Sequence, residues 1–432
     1  MNYSLGNMLS RGGALNPDGL SLDLAFAADK TLTARKGPTP TFTRASTATF
    51  VGSNGLIQSA AINAPRFDHD SVTLACKGLL IEEPRTNLFK YSEIFNASAS
   101  SNYWASISAN AVTSNQTTSP DGATTADLLT TSATPFDCFV RNTANWVGST
   151  QYSYSIFLKR GPSNHRYVGL YIGSGITGAT QFPYFDFDNP TTVQIPSGTM
   201  VGTVNSTRVD AYPNGWYRVC VTFTTAATPV TVYGGVYISA SNGALPNSST
   251  AGLNAYIWGI QAELGSFPTS YIPTTTAALT RSADVCSITG ANFTSFYNQS
   301  EGTIYIKGST INPGNNVILY SLNDGTTSNL IQALPGSASF TVISLGGTQV
   351  SLNHGNFVAN IESAQASAYK INDFASSKNG ATSLIDTTGT VPAVSQIGIG
   401  SRLSSVQLNG HIARIQYFRK RLPNAKLQSL TT

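Results

Sequence analysis

Two aspartates, Asp186 and Asp188, alternate along the predicted strand Tyr184-Phe185-Asp186-Phe187-Asp188. Because alternate side chains of a strand share a face, the two carboxylates would lie side by side. Such a pair could form half of a Ca²⁺ site or a pair of hydrolytic carboxylates. The alternation equally suits a solvated face opposite a buried Phe185 and Phe187. Asp186 and Asp188 are thus the candidate metal ligands, and no cofactor other than Ca²⁺ is expected.

Residue patterns typical of enzymes are sparse along the chain. Glycoside hydrolysis needs two carboxylates placed across the scissile bond, and no Glu-x-Asp-x-x-Glu strand pattern occurs among the six glutamates. Four histidines are present without a Gly-x-Ser-x-Gly nucleophile turn. No phosphate-binding loop or dinucleotide-binding glycine pattern occurs either. We therefore expect a protein without catalytic activity.

Saccharide binding calls for exposed aromatic rings, which stack on pyranose faces, and for amide and hydroxyl groups that hydrogen-bond to the sugar. Trp104 lies in a turn-like setting next to Asn102 and Tyr103, and Trp146 lies in a second one. These four residues are the candidate ligand-binding residues, although a packed position is the alternative for Trp104. The other two tryptophans lie within strongly apolar strands and are expected in the core.

Charge and hydropathy exclude several classes of protein. Only 11% of the residues are charged and the net charge is +4, and the one dense basic cluster, Arg414 with 419–421, is too small for a nucleic-acid-binding surface. No apolar run reaches membrane-spanning length, and the N-terminus lacks a signal-peptide pattern. The four cysteines are too widely spaced for a zinc site or a dense disulfide scaffold.

Short apolar strands separated by Gly, Pro, Asn and Ser turns fill most of the chain. One example is 152–158, where apolar and polar side chains alternate. This pattern predicts an all-β fold with two tandem β-sandwiches of jelly-roll or lectin-like type. The one short helix expected follows Pro423.

The spacing of strands and linkers divides the chain into three parts. Residues 1–90 hold too little apolar material for a core of their own, so we expect an extended N-terminal arm that docks onto the next domain or grips a partner. Residues 91–273 would form a jelly roll, and the Pro-marked exit at 265–276 would lead into a second sandwich over 274–432.

Three groups of segments resemble bacteriophage virion proteins, fibre-like ones in particular. The opening "FTRASTATFVGSNGLIQSA", "APRFDHD" and "GLLIEEPRTNLFKYSE" are similar to an N-terminal module of such proteins. The segments "AYPNGWYRVCVTF" and "YIWGIQAELGSFPTSYIPT" resemble strands of a carbohydrate-binding-module-like jelly roll. The segments "FTSFYNQSEGTIYIKG", "KNG" and "LNGHIARIQYFRKRLPNAKLQSLT" resemble a laminin-G or concanavalin-A-like sandwich.

This resemblance implies a virion protein that is made in the host cytoplasm and attaches to other virion proteins through the N-terminal arm. Its implied task is that of a tail-fibre or adhesin component binding host surface glycans. The alternative is a head-fibre or capsid-decoration protein with a purely structural role. A homo-oligomer, a trimer by family analogy, would have to pair through sandwich faces or the arm because no heptad coiled coil is present. Nucleic-acid binding and membrane insertion are not expected.

Overall fold

Antiparallel strand pairs organise the protein in its computed structural model. The strands collect into four large sheets, which pack in pairs around two apolar cores. The predicted all-β class with two β-sandwiches is therefore confirmed. The residues that the structure describes are 18–96, 103–106, 112–132, 139–144, 146–173, 182–196, 202–227, 232–239, 241, 251–313, 317–336, 339–403 and 405–432.

The first described segment holds short strands and a single helical turn. They are β1 (Leu20–Leu24), α1 (Phe26–Asp29), β2 (Thr41–Thr43), β3 (Ala48–Val51), β4 (Ile57–Ala60), β5 (Phe67–His69), β6 (Cys76–Ile81) and β7 (Arg85–Asn87). Strands β3 and β4 form a hairpin, and Asn54 and Gly55 lie in the turn between them. Gly55 has a φ of 77°, which supplies the left-handed conformation of that turn.

The described strands between 105 and 264 form what we call the inserted sandwich. They are β8 (Ala105–Ser106), β9 (Val112–Thr117), β10 (Ala126–Thr130), β11 (Phe139–Ala144), β12 (Gln151–Arg160), β13 (Tyr167–Gly173), β14 (Tyr184–Asp186), β15 (Val193–Gln194), β16 (Gly202–Tyr212), β17 (Trp216–Thr225), β18 (Val232–Ile238) and β19 (Asn254–Leu264). One sheet has the order β16-β17-β12-β19-β10-β9 and the other β15-β14-β13-β18-β11-β8. Tyr154 and Ile156 of β12 are buried between the two sheets, as the alternation predicts.

The remaining elements follow residue 278. They are β20 (Leu279–Arg281), β21 (Val285–Thr289), α2 (Gly290–Phe296), β22 (Glu301–Thr310), β23 (Tyr320–Asn323), β24 (Leu330–Ala333), β25 (Phe340–Ser344), β26 (Gly347–Leu352), β27 (Ser363–Lys370), β28 (Phe374–Lys378), β29 (Leu384–Asp386), β30 (Gln396–Ile399), β31 (Ser401–Arg402), β32 (Val406–Gln407), β33 (Gly410–Phe418) and α3 (Asn424–Leu430). Helix α3 is the predicted C-terminal helix. Among the described residues, no helix has the length and apolar character needed to cross a membrane.

Described segments from before and after the inserted sandwich together build the second sandwich, which we call the terminal sandwich. Its first sheet has the order β29-β28-β27-β22-β33-β6-β5, with β1 also paired to β33, and its second sheet has the order β2-β21-β30-β23-β24-β25-β26. The predicted separate arm is therefore wrong for residues 18–90. Leu24, Leu79 and Ile81 are fully buried in the core of this sandwich. The apolar side chains of this segment are too few for a core of their own, and they are stabilised by burial in the core of the terminal sandwich.

A buried cluster of charges joins the segment that precedes the inserted sandwich to the segment that follows it. Asp284 pairs with Arg44 at 3.1 Å and with Arg66, and Arg66 also pairs with Glu82 at 2.8 Å. Arg281 lies 3.6 Å from Glu82. Burial would raise the pKa of Glu82, but Arg281 and Arg66 hold that pKa well below its usual range. Charged residues of the predicted arm thus form a buried ion network at the crossing between the two sandwiches.

Candidate functional site: a tyrosine platform on the inserted sandwich

Strands β13 and β14 turn one face to the core, and on the opposite face Tyr171 is buried whereas Tyr167 and Tyr184 are only half-buried. Val168 and Phe185 are fully buried in the core of the inserted sandwich. Tyr167 is the cross-strand neighbour of Asp186, and Tyr184 is the neighbour of Gly169. Because side chains alternate along a strand, Tyr167, Tyr184 and Asp186 share the outward face. Both tyrosines are half-buried, so part of each ring remains open to solvent.

Close approach of aromatic rings at this face depends on a glycine. The rings of Tyr167 and Tyr184 meet edge to face, with centroids 5.8 Å apart. Gly169 lies between Tyr184 and Tyr237, which are its neighbours on the two flanking strands. A Cβ atom at Gly169 would overlap the buried Tyr237 ring. The glycine therefore allows three tyrosines to occupy adjacent strands.

Two arginines and two aspartates border the tyrosines. The Arg166 guanidinium donates to both carboxylate oxygens of Asp186, each at 2.6 Å, and lies 3.3 Å from Asp188. Arg160 pairs with Asp188 from the other side. The Arg166 guanidinium also lies over the Tyr167 ring, 5.0 Å from its centroid. We call Tyr167, Tyr184 and these four charged residues the tyrosine platform.

The platform presents charged groups whose signs balance. The hydrogen bond from Arg166 holds the pKa of the Asp186 carboxyl below its usual value, so Asp186 is ionised at neutral pH. Asp188 and Arg166 are about half exposed. Their outward atoms can accept hydrogen bonds from, and donate them to, the hydroxyl groups of a ligand.

The predicted metal pair has arginine partners in the structure. Asp186 and Asp188 pair with Arg166 and Arg160. Phe185 and Phe187 are buried, as the second interpretation of the sequence expects, but Asp186 is buried as well, so only Asp188 is exposed to solvent. Within the described ranges, no group of three or more His, Cys, Asp or Glu side chains is placed to hold a metal ion. A Ca²⁺ ion here would have to displace guanidinium groups.

Trp104 does not provide an exposed ring, so this part of the prediction is wrong. The side chain is fully buried, with Phe89 and Phe95 at centroid distances of 5.2 and 5.6 Å. Its indole N–H donates to the Tyr91 carbonyl at 3.0 Å. A large ring with a satisfied polar atom is typical of a core residue. Tyr103 packs beside it as a half-buried ring, and Asn102 lies outside the described residues.

Trp146 is also a core residue, contrary to the expected exposed position. Only 6% of its surface is accessible. Its ring packs against Tyr152 and Phe223, at centroid distances of 4.7 and 5.0 Å. A turn in the sequence therefore did not mean a side chain in solvent, because the hydrophobic effect draws large rings into the nearest core.

Sequence reasoning missed Tyr167, Tyr184 and Arg166 as site residues, although it predicted the strand that carries Tyr184. The signal was present as alternation: Val168 and Leu170 form one apolar face, and Tyr167 and Gly169 form the other. A tyrosine opposite an all-aliphatic face, next to an arginine, would have indicated an outward aromatic position.

Comparisons with known proteins add limited information. No protein-family model matches the chain, and no curated protein matches its sequence. Among solved structures, the chain is similar to the CBM40 of a Ruminococcus gnavus sialidase bound to α2,3-sialyllactose (15% identity, 31% of this chain and 84% of that chain, TM-score 0.24). It is also similar to mouse laminin α1 domains LG4-5 (10% identity, 68% and 88%, TM-score 0.24). A third is a Trypanosoma rangeli sialidase in complex with the inhibitor DANA (10% identity, 76% and 61%, TM-score 0.25). These scores are too low to transfer any property of those proteins to this chain.

Proposed function

We propose that this protein is a glycan-binding adhesin of a bacteriophage virion and that the tyrosine platform contacts the saccharide. The observation that carries the proposal is the placement of two half-exposed rings, Tyr167 and Tyr184, beside the exposed charges of Arg166 and Asp188. Pyranose rings present C–H groups that pack on aromatic faces. Their vicinal hydroxyls hydrogen-bond to carboxylate and guanidinium groups.

Binding at the platform would occur without cleavage. Hydrolysis of a glycoside requires one carboxylic acid with a raised pKa as proton donor and a second carboxylate as base or nucleophile. The pKa of Asp186 is lowered by the hydrogen bond from Arg166, and Asp188 is held by arginines on both sides. Asp186 is therefore not suited to the role of general acid. We propose a non-enzymatic function on this basis.

The sequence resemblance to fibre-like phage proteins supports the virion setting and a homo-oligomeric, trimeric assembly. Residues 18–90 contribute strands to the terminal sandwich. Attachment to neighbouring virion proteins would therefore use that sandwich, in place of the separate arm expected from the sequence.

A capsid-decoration protein is the second candidate, favoured by Leu345. This leucine lies at the tip of the β25–β26 hairpin with 90% of its surface exposed and a φ of 51°. Its backbone N–H donates to the Asn329 side chain at 3.0 Å, which holds the tip in place. A leucine in the left-handed conformation is disfavoured, and in this second proposal the leucine is kept at the tip for contact with another protein.

A glycan array tests the proposal. Labelled full-length protein is applied to bacterial surface polysaccharides, next to Tyr167→Ala and a matched control, Tyr256→Ala. Tyr256 is also a half-buried tyrosine with a cation over its ring, Lys159 at 5.9 Å, but it lies on the opposite sheet. Loss of ring stacking should weaken binding by about tenfold in Tyr167→Ala, with no change in Tyr256→Ala.

Two outcomes would contradict the proposal. Equal glycan binding by both variants would show that the platform does not contact the saccharide. Absence of binding to any glycan, together with retention of the protein on purified phage shells, would instead support the decoration role. The purified protein can also be tested as a competitor of phage adsorption to host cells. An adhesin should block adsorption, whereas a decoration protein should not.

A further inference from the structure

A cleft of about 440 Å³ lies between the two sandwiches and is separate from the tyrosine platform. One wall comes from the terminal sandwich, including 68–72 and the start of β33. The other wall comes from the end of β16, at 208–212, and from the segment 267–271 that leaves the inserted sandwich. Its volume is in the range of pockets that hold small molecules.

The walls of this cleft offer aromatic rings as well as charged groups. Phe50 and Tyr212 line the cleft, and both residues are half-buried. Lys77 and Asp210 line it as well, with side chains 39% and 34% exposed. The cleft therefore combines stacking surface with polar groups from both sandwiches.

Several polar atoms in the cleft retain hydrogen-bonding capacity. Asp210 uses one oxygen, Oδ2, to accept from Arg208 at 2.7 and 2.9 Å; within the described residues its other oxygen has no partner. Among the residues that the structure describes, the Lys77 ammonium makes one long contact, 3.5 Å to Asp68. Asn360 is exposed at the rim. These groups can bind both donors and acceptors of a ligand.

The two walls are tied together, so the cleft is formed before a ligand enters. The Ser71 hydroxyl donates to the Ala211 carbonyl at 2.6 Å, and the Ile57 N–H donates to the Pro120 carbonyl at 2.9 Å. Both bonds join the first described segment to the inserted sandwich. A site that is already ordered loses less conformational entropy on binding.

We propose that this cleft is a second saccharide site, specific for uncharged oligosaccharides. Two pairs of opposite charge lie on its walls, Lys77 with Asp68 and Arg208 with Asp210, beside the carboxylate of Asp70. A ligand with a net charge would be repelled by the side chain of the same sign in either pair, whereas hydroxyl groups can bond to both partners. The inference rests on the glycan-binding function proposed above. Two sites on one chain would raise the avidity for a long polysaccharide.

Hydrogen–deuterium exchange of the full-length protein reads the two sites separately. The probes are maltopentaose and chitopentaose as uncharged oligosaccharides, and a polygalacturonate oligomer as the charged comparator. We expect the uncharged probes to protect peptides from 66–80 and 205–214 at the cleft, in addition to peptides from 165–188 at the platform.

Val72→Trp and Val147→Trp form a matched pair for this experiment. Val72 lines the cleft and is 63% exposed, whereas Val147 is 64% exposed and does not line it. The added ring in Val72→Trp should lower the apparent affinity of the cleft for the uncharged probes by about tenfold or more. Protection of the platform peptides should not change. Val147→Trp should behave as the original protein, and Tyr167→Ala should lose protection at the platform alone.

The outcomes distinguish this inference from the proposed function. Protection at the platform without protection at the cleft overturns the second site and leaves the adhesin proposal standing. Protection of the cleft by the charged comparator alone overturns its assignment to uncharged ligands. Protection at neither place, with any saccharide, overturns both proposals.

Discussion

Replacement of Asp284 by Asn probes the buried charge cluster between the sandwiches. Asp284 is fully buried and pairs with Arg44 and Arg66, and it also accepts the Glu82 N–H at 2.9 Å. Asn has nearly the same shape but carries no charge. The substitution would leave three buried guanidiniums, those of Arg44, Arg66 and Arg281, facing the single carboxylate of Glu82.

The expected loss of stability is large because the charges have no access to water. Removal of one partner from a buried ion pair costs about 3–5 kcal/mol, since the remaining charge stays buried without compensation. Folded domains are stable by only about 5–15 kcal/mol in total. The Asp284→Asn protein should therefore be only marginally folded at room temperature.

Equilibrium unfolding in urea, followed by tryptophan fluorescence, measures this loss. Glu362→Gln is the matched control, because Glu362 pairs with Lys307 at 2.6 Å on the surface, where both side chains are more than 40% exposed. Surface pairs contribute about 1 kcal/mol or less. A free energy of unfolding that falls no further in Asp284→Asn than in Glu362→Gln would refute the view that this cluster stabilises the crossing.

Further predictions concern three other positions. Burial raises the pKa of Asp127 to about 6, so its contribution to stability is complete below its unfolded pKa of about 3.9 and is lost as the pH rises through about 6; urea titrations across this range should show the decline, and Asp127→Asn should lack it. Trp104→Ala should cost about 3–5 kcal/mol in urea unfolding, the loss typical of a core ring; a change near zero would contradict its burial. Gly265 has a φ of 133°, and a Cβ atom added there would overlap the Arg85 guanidinium, whereas a Cβ atom added at Gly252 would meet no neighbouring atom within 4 Å. Gly265→Ala should therefore lower the melting temperature more than Gly252→Ala. Equal melting temperatures would contradict this packing.

Strand positions and the burial of individual faces could be predicted from the sequence because they follow from local alternation. Tyr154 and Ile156 of β12 illustrate this, since both are fully buried as expected. The pairing of β1 with β33 could not be predicted. Leu24 and Ile415 are neighbours across these strands although nearly the whole chain separates them. Nothing local specifies such a register, so residues 18–90 resembled an arm.

The candidate site was predicted only in part, for a related reason. Tyr184 and Asp186 were placed on a strand, but the sequence does not say which partner an aspartate will find. Arg166 lies 20 residues from Asp186 and becomes its partner only when β13 and β14 pair. Trp104 was predicted to be exposed because its neighbours in the sequence are polar, but its ring packs against Phe89 and Phe95.

A crystal structure of the protein soaked with the oligosaccharide that binds best on the array tests the central claim most directly. The account predicts a pyranose ring packed on Tyr167 or Tyr184, with hydroxyl groups within hydrogen-bonding distance of Asp188 and Arg166. An ordered saccharide bound elsewhere on the protein, with nothing on the tyrosine platform, would contradict it.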